Sequence, residues 1–445
     1  MEIFPFNMTE AKTITRRDFM RFSTLFSIGL LTGCAVNPVT GKSQLMLVDE
    51  DQEIAVDRKN APHQFSADYG VLTDPALNDY VDRTGKTIAA RTHRTQMPYS
   101  FHPVAANYVN AYAFPGGSIA VTRGILLKLE NEAELAALLG HELGHVNARH
   151  TAEQMSKGML TQLLVAGAVS VVGSQNEGYG KIAKQLGMMG AGALLASYSR
   201  DNERQADALA MTYMVRSGYS PRGMVGLMEI LKELSKHRAA AADLLFATHP
   251  MGDERYRSAV ESARSTYGAA QDLPLHRERY MDQTAGLRAI GGAVERLQAG
   301  EVAMGKKHFA EAESAFRKAL AIAPEDYTGL LLMAKCLLIQ EKSADALRFA
   351  ERAKGVNPPE AQAHHLAGMA RIKQKHFERA HADFTEYERL LPGNPNTIFF
   401  TGLSLEGMGR LKPAADEYYR YLQVVSSGQM AQYAHRRLVA WGYLN

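Results

Sequence analysis

The 445-residue sequence predicts a mainly α-helical chain of the α+β class, in which a helical domain carrying a small β-sheet is followed by an α-solenoid. Three observations predict it. Apolar residues recur at helical spacing along most of the chain. Two short β-branched and aromatic runs, around Phe101–Val104 and Ser118–Thr122, are bounded by Pro and Gly as strands are. Beyond about residue 285, small and apolar residues return with a period of about 34.

A chain of this length exceeds what one hydrophobic core usually supports, so two domains are expected. Lys and Arg number 50 against 47 Asp and Glu, a formal net charge of +3, and no dense basic patch is interleaved with aromatics. That balance excludes nucleic acid as a partner. The two cysteines, Cys34 and Cys336, cannot build a disulfide framework, and each needs its own explanation.

Cys34 is explained by what precedes it. Thr15-Arg16-Arg17-Asp18-Phe19-Met20 is a basic opening, Phe22 to Leu31 a short apolar stretch, and Leu31-Thr32-Gly33-Cys34 closes it with small residues. This arrangement resembles a bacterial lipoprotein signal. The resemblance implies that residues 1–33 are a signal peptide, that cleavage falls before Cys34, and that lipid on Cys34 anchors the mature chain to a membrane. Ala35 in the next position, by resemblance to the sorting pattern of Gram-negative lipoproteins, implies a periplasmic chain held at the outer membrane. The paired arginines also resemble a twin-arginine export signal, and an ordinary secretory leader is the alternative. The apolar core is too short for an uncleaved membrane helix.

The first domain is expected over residues 34–285. Asn37-Pro38-Val39-Thr40-Gly41 reads as a turn-rich exit, with helical pattern resuming near Val48. Asn131-Glu132-Ala133-Glu134 offers an N-cap with a carboxylate three residues later, and alanines and leucines follow at helical spacing through Val146. On that helix lies His141-Glu142-Leu143-Gly144-His145. Residues four apart project from one face, so His141 and His145 can grip one ion, and Glu142, one step on, reaches a water beside it. The pattern points to zinc, Zn2+, with a base already in place. The apolar stretches Met159–Val172 and Leu186–Ala196, split by the polar tract Ser174-Gln175-Asn176-Glu177, are each too short to cross a membrane and read as buried helices flanking the site.

Two histidines leave a catalytic zinc one protein ligand short. Downstream, Tyr198-Ser199-Arg200-Asp201-Asn202-Glu203-Arg204-Gln205-Ala206-Asp207 lies on a predicted helix. Together with the first motif, its Ser-Arg-x-x-Glu-x-x-Ala-Asp pattern resembles the M48 metallopeptidases. That resemblance implies a zincin-like fold with Glu203 as third ligand and Asp207, four residues on, as a carboxylate that orients a site histidine. It further implies that Asn110, Ala111, Ala113, Gly116 and Gly117 belong to an edge strand along which substrate lies extended. Thr248-His249-Pro250 with Glu254-Arg255 resembles the family's later His-Pro segment. Two roles then stand for His249, donation to a developing oxyanion or coordination of zinc in a closed state, and Arg255 is a brace or an electrostatic aid. His150, five residues after His145, is read as a structural residue that packs or hydrogen-bonds.

The second domain is expected over residues 286–445. Pro324, Pro358 and Pro392 recur at the 34-residue period of tetratricopeptide repeats, as do Ala312, Ala346, Ala380 and Ala414. Gly300, Ala334, Gly368 and Gly402 form a column of small residues, and Phe316, Ala350, Phe384 and Tyr418 a fourth column. About four helix-turn-helix repeats are expected over residues 290–425, with a capping helix from Gln429 to Trp441 and a concave surface for peptides or proteins. Cys336 falls inside the second repeat as a small buried residue.

An M48 domain followed by such repeats on an exported chain resembles envelope proteases of that family. It implies a zinc endopeptidase that degrades misfolded, stalled or unassembled outer-membrane proteins in envelope quality control. The repeats would engage the substrate or the barrel-assembly machinery. The other reading is a chaperone or scaffold acting through the repeats with the zinc site closed. The intact Glu142 speaks against that reading, because a scaffold needs no base.

Overall fold

The computed structural model describes residues 34–169, 197–236 and 240–444. The expected leader, the polar tract 174–177 and the apolar stretch 186–196 lie outside them. Strands β1 (Cys34–Val36) and β2 (Ser43–Leu45) form an antiparallel hairpin. The turn-rich exit is therefore folded structure. Asn37 Oδ1 accepts from the backbone N–H groups of Val39 and Thr40, and its Nδ2 donates to Ala148 O at 3.1 Å, pinning the turn to the domain.

Helices α1 (Glu50–Ala67) and α2 (Pro75–Ala89) follow, each opened by an aspartate cap, Asp49 and Asp74. Strands β3 (Ser100–Val104), β4 (Ala111–Ala113) and β5 (Ser118–Thr122) form the small sheet in the order β3-β5-β4, β5 running parallel to β3 and antiparallel to β4. After the short helix α3 (Arg123–Leu126) comes α4 (Glu132–Asn147), which carries the metal-binding motif and is buried along its whole length. Asn131 caps it, accepting from Glu134 N–H at 3.0 Å while its amide donates to the Glu134 carboxylate. Helices α5 (His150–Val169), α6 (Arg200–Arg216), α7 (Arg222–Lys236), α8 (Asp243–Thr248), α9 (Asp253–Arg264), α10 (Arg277–Gln283) and α11 (Ala285–Ala289) complete the domain. No described helix is long and apolar enough to cross a membrane.

The core around α4 takes in Tyr280 and Leu287, whereas the next core begins at Ala293, with Ile290 packing against both. The domains thus meet near residue 290, a few residues beyond the expected 285, because the buried Leu287 side chain ties α11 to the first core.

The remaining helices pair as repeats: α12 (Gly291–Gly305) with α13 (Phe309–Ile322), α14 (Tyr327–Ile339) with α15 (Ser343–Val356), α16 (Gln362–Lys373) with α17 (Phe377–Leu390), and α18 (Pro395–Gly407) with α19 (Leu411–Leu422), before a last helix α20 (Gln429–Ala440). The columns of small and aromatic residues face each other. A Cβ on Gly300, Gly368 or Gly402 would lie within 2.2 to 2.8 Å of the rings of Phe316, Phe384 or Tyr418, respectively. The second repeat solves the same contact with Ala334 and Ala350, both buried, so small meets large in three repeats and small meets small in one. Cys336 is fully buried.

The first helices of the repeats dock on the α4 domain. At the end of α1 the chain turns through Tyr69 (φ 67°) and Gly70 (φ 82°). There the Tyr69 hydroxyl donates to Glu301 of α12, and Lys335 of α14 sits 4.6 Å from the ring centroid. Asn107 donates to the same Glu301 at 2.8 Å, Ser66 donates to Glu360, and Thr328 donates to Ala105 O at 2.9 Å. The centre of this junction is Arg123, almost wholly buried, which holds Asp326 through both terminal nitrogens. Removing one partner of a buried ion pair leaves an uncompensated charge. Arg123→Ala should therefore lower stability by about 3–5 kcal/mol, read as a fall in the urea midpoint, and an unchanged midpoint would show that the junction carries no such pair in solution.

Candidate metal centre

The site is built where α4 and α6 approach closely. Gly140 and Gly144, the residues just before His141 and His145, face Ala210 and Ala206. A Cβ on either glycine would lie 3.0 to 3.1 Å from the Cα of its alanine partner. Backbone meets backbone along this seam, and Glu203, capped into α6 by the Ser199 box, is carried to the two histidines.

His141 Nε2 and His145 Nε2 lie 3.1 Å apart. Glu203 Oε1 is 3.4 Å from His145 Nε2, and its Oε2 is 3.6 Å from His141 Nε2. His249, just past the end of α8, adds Nδ1 at 3.0 Å from Glu203 Oε1 and 3.4 Å from His141 Nε2. All four side chains are buried, and their ligand atoms lie within 4.8 Å of one another. Tetrahedral N and O ligands about 2.0–2.1 Å from zinc would stand roughly 3.3 Å apart, the spacing found here. Two buried carboxylate oxygens, Glu203 Oε2 and Glu142 Oε2, have no hydrogen-bond partner. Converging nitrogen lone pairs beside the two buried carboxylates fit a cation, and the residues present fit a metal ion.

The surroundings fix the ligands. His141 Nδ1 is 2.9 Å from Asp207 Oδ1, and Arg255 grips Asp207 through Nε at 2.7 Å and Nη2 at 2.8 Å. Arg255 Nη1 also forms an ion pair with Glu203 Oε2 at 2.7 Å. Burial opposes charge on His141, but the Asp207 hydrogen bond and the charges of Glu203 and Asp207 outweigh it and raise its pKa. Burial pushes His145 well down, so its lone pair is free at neutral pH. Burial also raises Glu142, whereas Glu203, despite burial, is held far below the usual carboxylate range by His145, His249 and His141.

The edge-strand residues divide. Among the described residues β4 pairs only with β5, and Asn110, Ala113 and Tyr112 line a narrow cleft shared with Tyr198, Leu244, Thr248 and His249. Ala111 sits at the start of that strand. Gly116 and Gly117 do not belong to the edge. They form the turn from β4 to β5, where Gly117 has φ 105° and donates to Phe114 O, and they pack against Asp57 and Tyr99. Cys34 begins the β1–β2 hairpin and takes no part in the cluster.

Three neighbours of the cluster carry no role in the sequence motifs. His150 Nδ1 lies 3.0 Å from His145 Nδ1, and Gln205 Oε1 lies 3.0 Å from His150 Nε2. Tyr198 lies against His145, ring centroids 3.8 Å apart, with its hydroxyl on Thr151. Gln205 stands two residues after Glu203 on α6, and nothing in the spacing of Gln205, His150 or Tyr198 signals these contacts.

Comparison with known proteins agrees with this geometry. The model of peptidase family M48 matches residues 75–263, and a tetratricopeptide-repeat model matches residues 303–372. The chain carries an M48 peptidase domain. The chain is 29% identical over 246 residues to the beta-barrel assembly-enhancing protease of Yersinia pestis, covering 53% of this chain and 49% of that protein. It is 25% identical over 197 residues to the protein of that name from Escherichia coli K12, covering 43% and 40%. It is 34% identical over 160 residues to the metalloprotease YcaL of Escherichia coli K12, covering 36% and 59%. The chain spans about half the length, or less, of the first two.

Because the ligands meet across the glycine–alanine seam, widening it should disperse them. Gly144→Val is expected to cost about 1–3 kcal/mol by overpacking and to weaken divalent-ion binding measured by calorimetry. Parent-like ion binding by this variant would disprove the dependence.

Proposed function

We propose that this M48 chain is a zinc-dependent endopeptidase of the bacterial cell envelope, and that it removes misfolded or stalled outer-membrane proteins that its repeats bind directly or through the assembly machinery. The observation that carries the reading is the convergence of His141, His145 and Glu203 beside the buried, unpartnered Glu142 Oε2. The names of the relatives and the repeat domain support the choice of substrate class.

His141 and His145 through Nε2, with a Glu203 oxygen, would hold the zinc ion. When bound, zinc supplies Lewis acidity, acidifying water and polarising a carbonyl. Glu142 takes a proton from the attacking water on Oε2, and its raised pKa lets it keep that proton long enough to pass it to the departing amine nitrogen. Asp207, clamped by Arg255, keeps His141 in the Nδ1–H tautomer, leaving Nε2 bare. The β4 edge offers backbone groups to an extended peptide. No acyl-enzyme forms.

His249 decides when cutting is possible. Four protein donors around one point are the mark of a closed site, whereas a catalytic zinc keeps one position for water. We take His249 Nδ1 as the fourth donor of a closed state, opened when the segment after α8 shifts. Lipid on Cys34 would place the domain at the periplasmic face of the outer membrane, because only the short β1–β2 hairpin separates the anchor from the fold.

Glu142→Gln should lower cleavage of an unfolded outer-membrane protein by about 10²- to 10⁴-fold while zinc content, read by atomic absorption, stays at one per chain. Unchanged clearance would overturn the peptidase reading in favour of a scaffold. His249→Ala should raise the cleavage rate, and a fall with zinc retained would assign His249 to the oxyanion instead. Cys34→Ser should move the chain from the membrane fraction to the soluble extract, and retention in the membrane would refute the lipid anchor.

A further inference from the structure

We infer that His150 and Gln205 are positioning residues of the metal site, forming a neutral hydrogen-bond relay that sets the tautomer and aim of His145. This rests on the reading of His141, His145 and Glu203 as metal ligands.

The argument starts at the far end of the relay. An amide oxygen only accepts hydrogen bonds, so Gln205 Oε1, 3.0 Å from His150 Nε2, requires a proton on that nitrogen. In the neutral ring the proton on Nε2 leaves His150 Nδ1 bare. His150 Nδ1 faces His145 Nδ1 at 3.0 Å, and two bare nitrogens would repel, so His145 carries its proton on Nδ1. His145 Nε2 is then bare and points its lone pair at His141 Nε2 and Glu203. This assignment satisfies both contacts of His150, and it leaves the bare Nε2 atoms of His145 and His141 facing each other at 3.1 Å, where the ion would sit.

The two ligand histidines are therefore oriented by different means. His141 leans on a charged pair, Asp207 with Arg255. His145 leans on an uncharged one, His150 with Gln205. The ring of His145 is also held from its face by Tyr198, whose hydroxyl bonds Thr151, the residue after His150. The first turn of α5 thus holds the same ligand by its edge and, through Tyr198, by its face.

A broken helix makes this possible. Five residues along an unbroken α-helix correspond to a rotation of about 140° away from the starting side chain. Here α4 ends at Asn147, Ala148 is its C-cap, and Arg149 turns the chain with φ 60° before α5 starts at His150. Arg149 is held in that left-handed conformation by Glu53, which accepts from its Nε at 3.0 Å, and by Val48 O at 2.8 Å. The turn swings His150 back under His145.

The test is zinc affinity of the purified full chain, by competition with a chromophoric chelator. His150→Phe and Gln205→Leu should each weaken zinc binding, by about 10- to 100-fold for the first, the usual cost of removing a ligand's hydrogen-bond partner, and by several-fold for the second. Gln205→Glu, which still accepts from His150, should bind at least as tightly as the parent. A role in packing alone predicts the opposite order, with Leu tolerated and Glu harmful. Parent-like affinity for both His150→Phe and Gln205→Leu would overturn the relay while leaving the metal reading intact. A parent that binds no zinc would overturn both. Should His150→Phe lose its helical circular-dichroism signal, the two substitutions at the half-exposed Gln205 decide the question.

Discussion

The close approach of α4 and α6 is the constraint on which the site depends. A helix pair normally stands 8–10 Å apart, set by the side chains between. Here Gly140 and Gly144 on one helix meet Ala210 and Ala206 on the other, so Glu203 can reach both histidines without a long side chain bridging a gap. The two glycines that precede the histidines are thus as much a part of the metal site as its ligands. They explain why α4 can be buried on every side yet still present three polar groups to one point. The polar face is spent on the ion and its base, and the rest of the circumference on packing.

Around that seam, each buried polar group needs a partner, and the partners come from distant parts of the chain. Asp207 comes from α6 itself, Arg255 from α9, His249 from the end of α8, and His150 from the turn after α4. An ion-binding site in a dry interior demands this, because unpaired ligands would be costly to bury. Helix α5 and the β1–β2 hairpin are part of the same construction: Ser156 Oγ on α5 accepts from Leu47 N–H, and Asn37 donates to Ala148 O at the end of the motif helix.

The repeats are tied to the same machinery through α1. Asp68 accepts from Tyr108 at 2.8 Å and from Tyr112 at 2.5 Å, the tyrosines that flank and sit on the β4 edge. Its neighbour Tyr69 is held between Glu301 and Lys335 of the repeats. One residue step therefore separates the brace of the substrate edge from the grip of the solenoid. Burial raises the pKa of Asp68 and Glu301 alike.

Local spacing determined by itself that His141 and His145 share one helical face with Glu142 one step on, that Asn131 starts that helix, and that a 34-residue period builds paired helices, because these follow from the 3.6-residue turn and from repetition of one packing contact. The pairing of Asp207 with a site histidine was legible only through the second motif, since no spacing rule links two helices. The tertiary structure alone decided the rest. Gly116 and Gly117 left the edge because a left-handed backbone forms a tight turn there and not a strand. The boundary moved past Leu287 because that side chain is buried in the first core. His150 became a neighbour of His145 because Arg149 breaks the helix between them. A break held by Glu53 and Val48, 96 and 101 residues away, leaves no trace in the pattern of the motif itself.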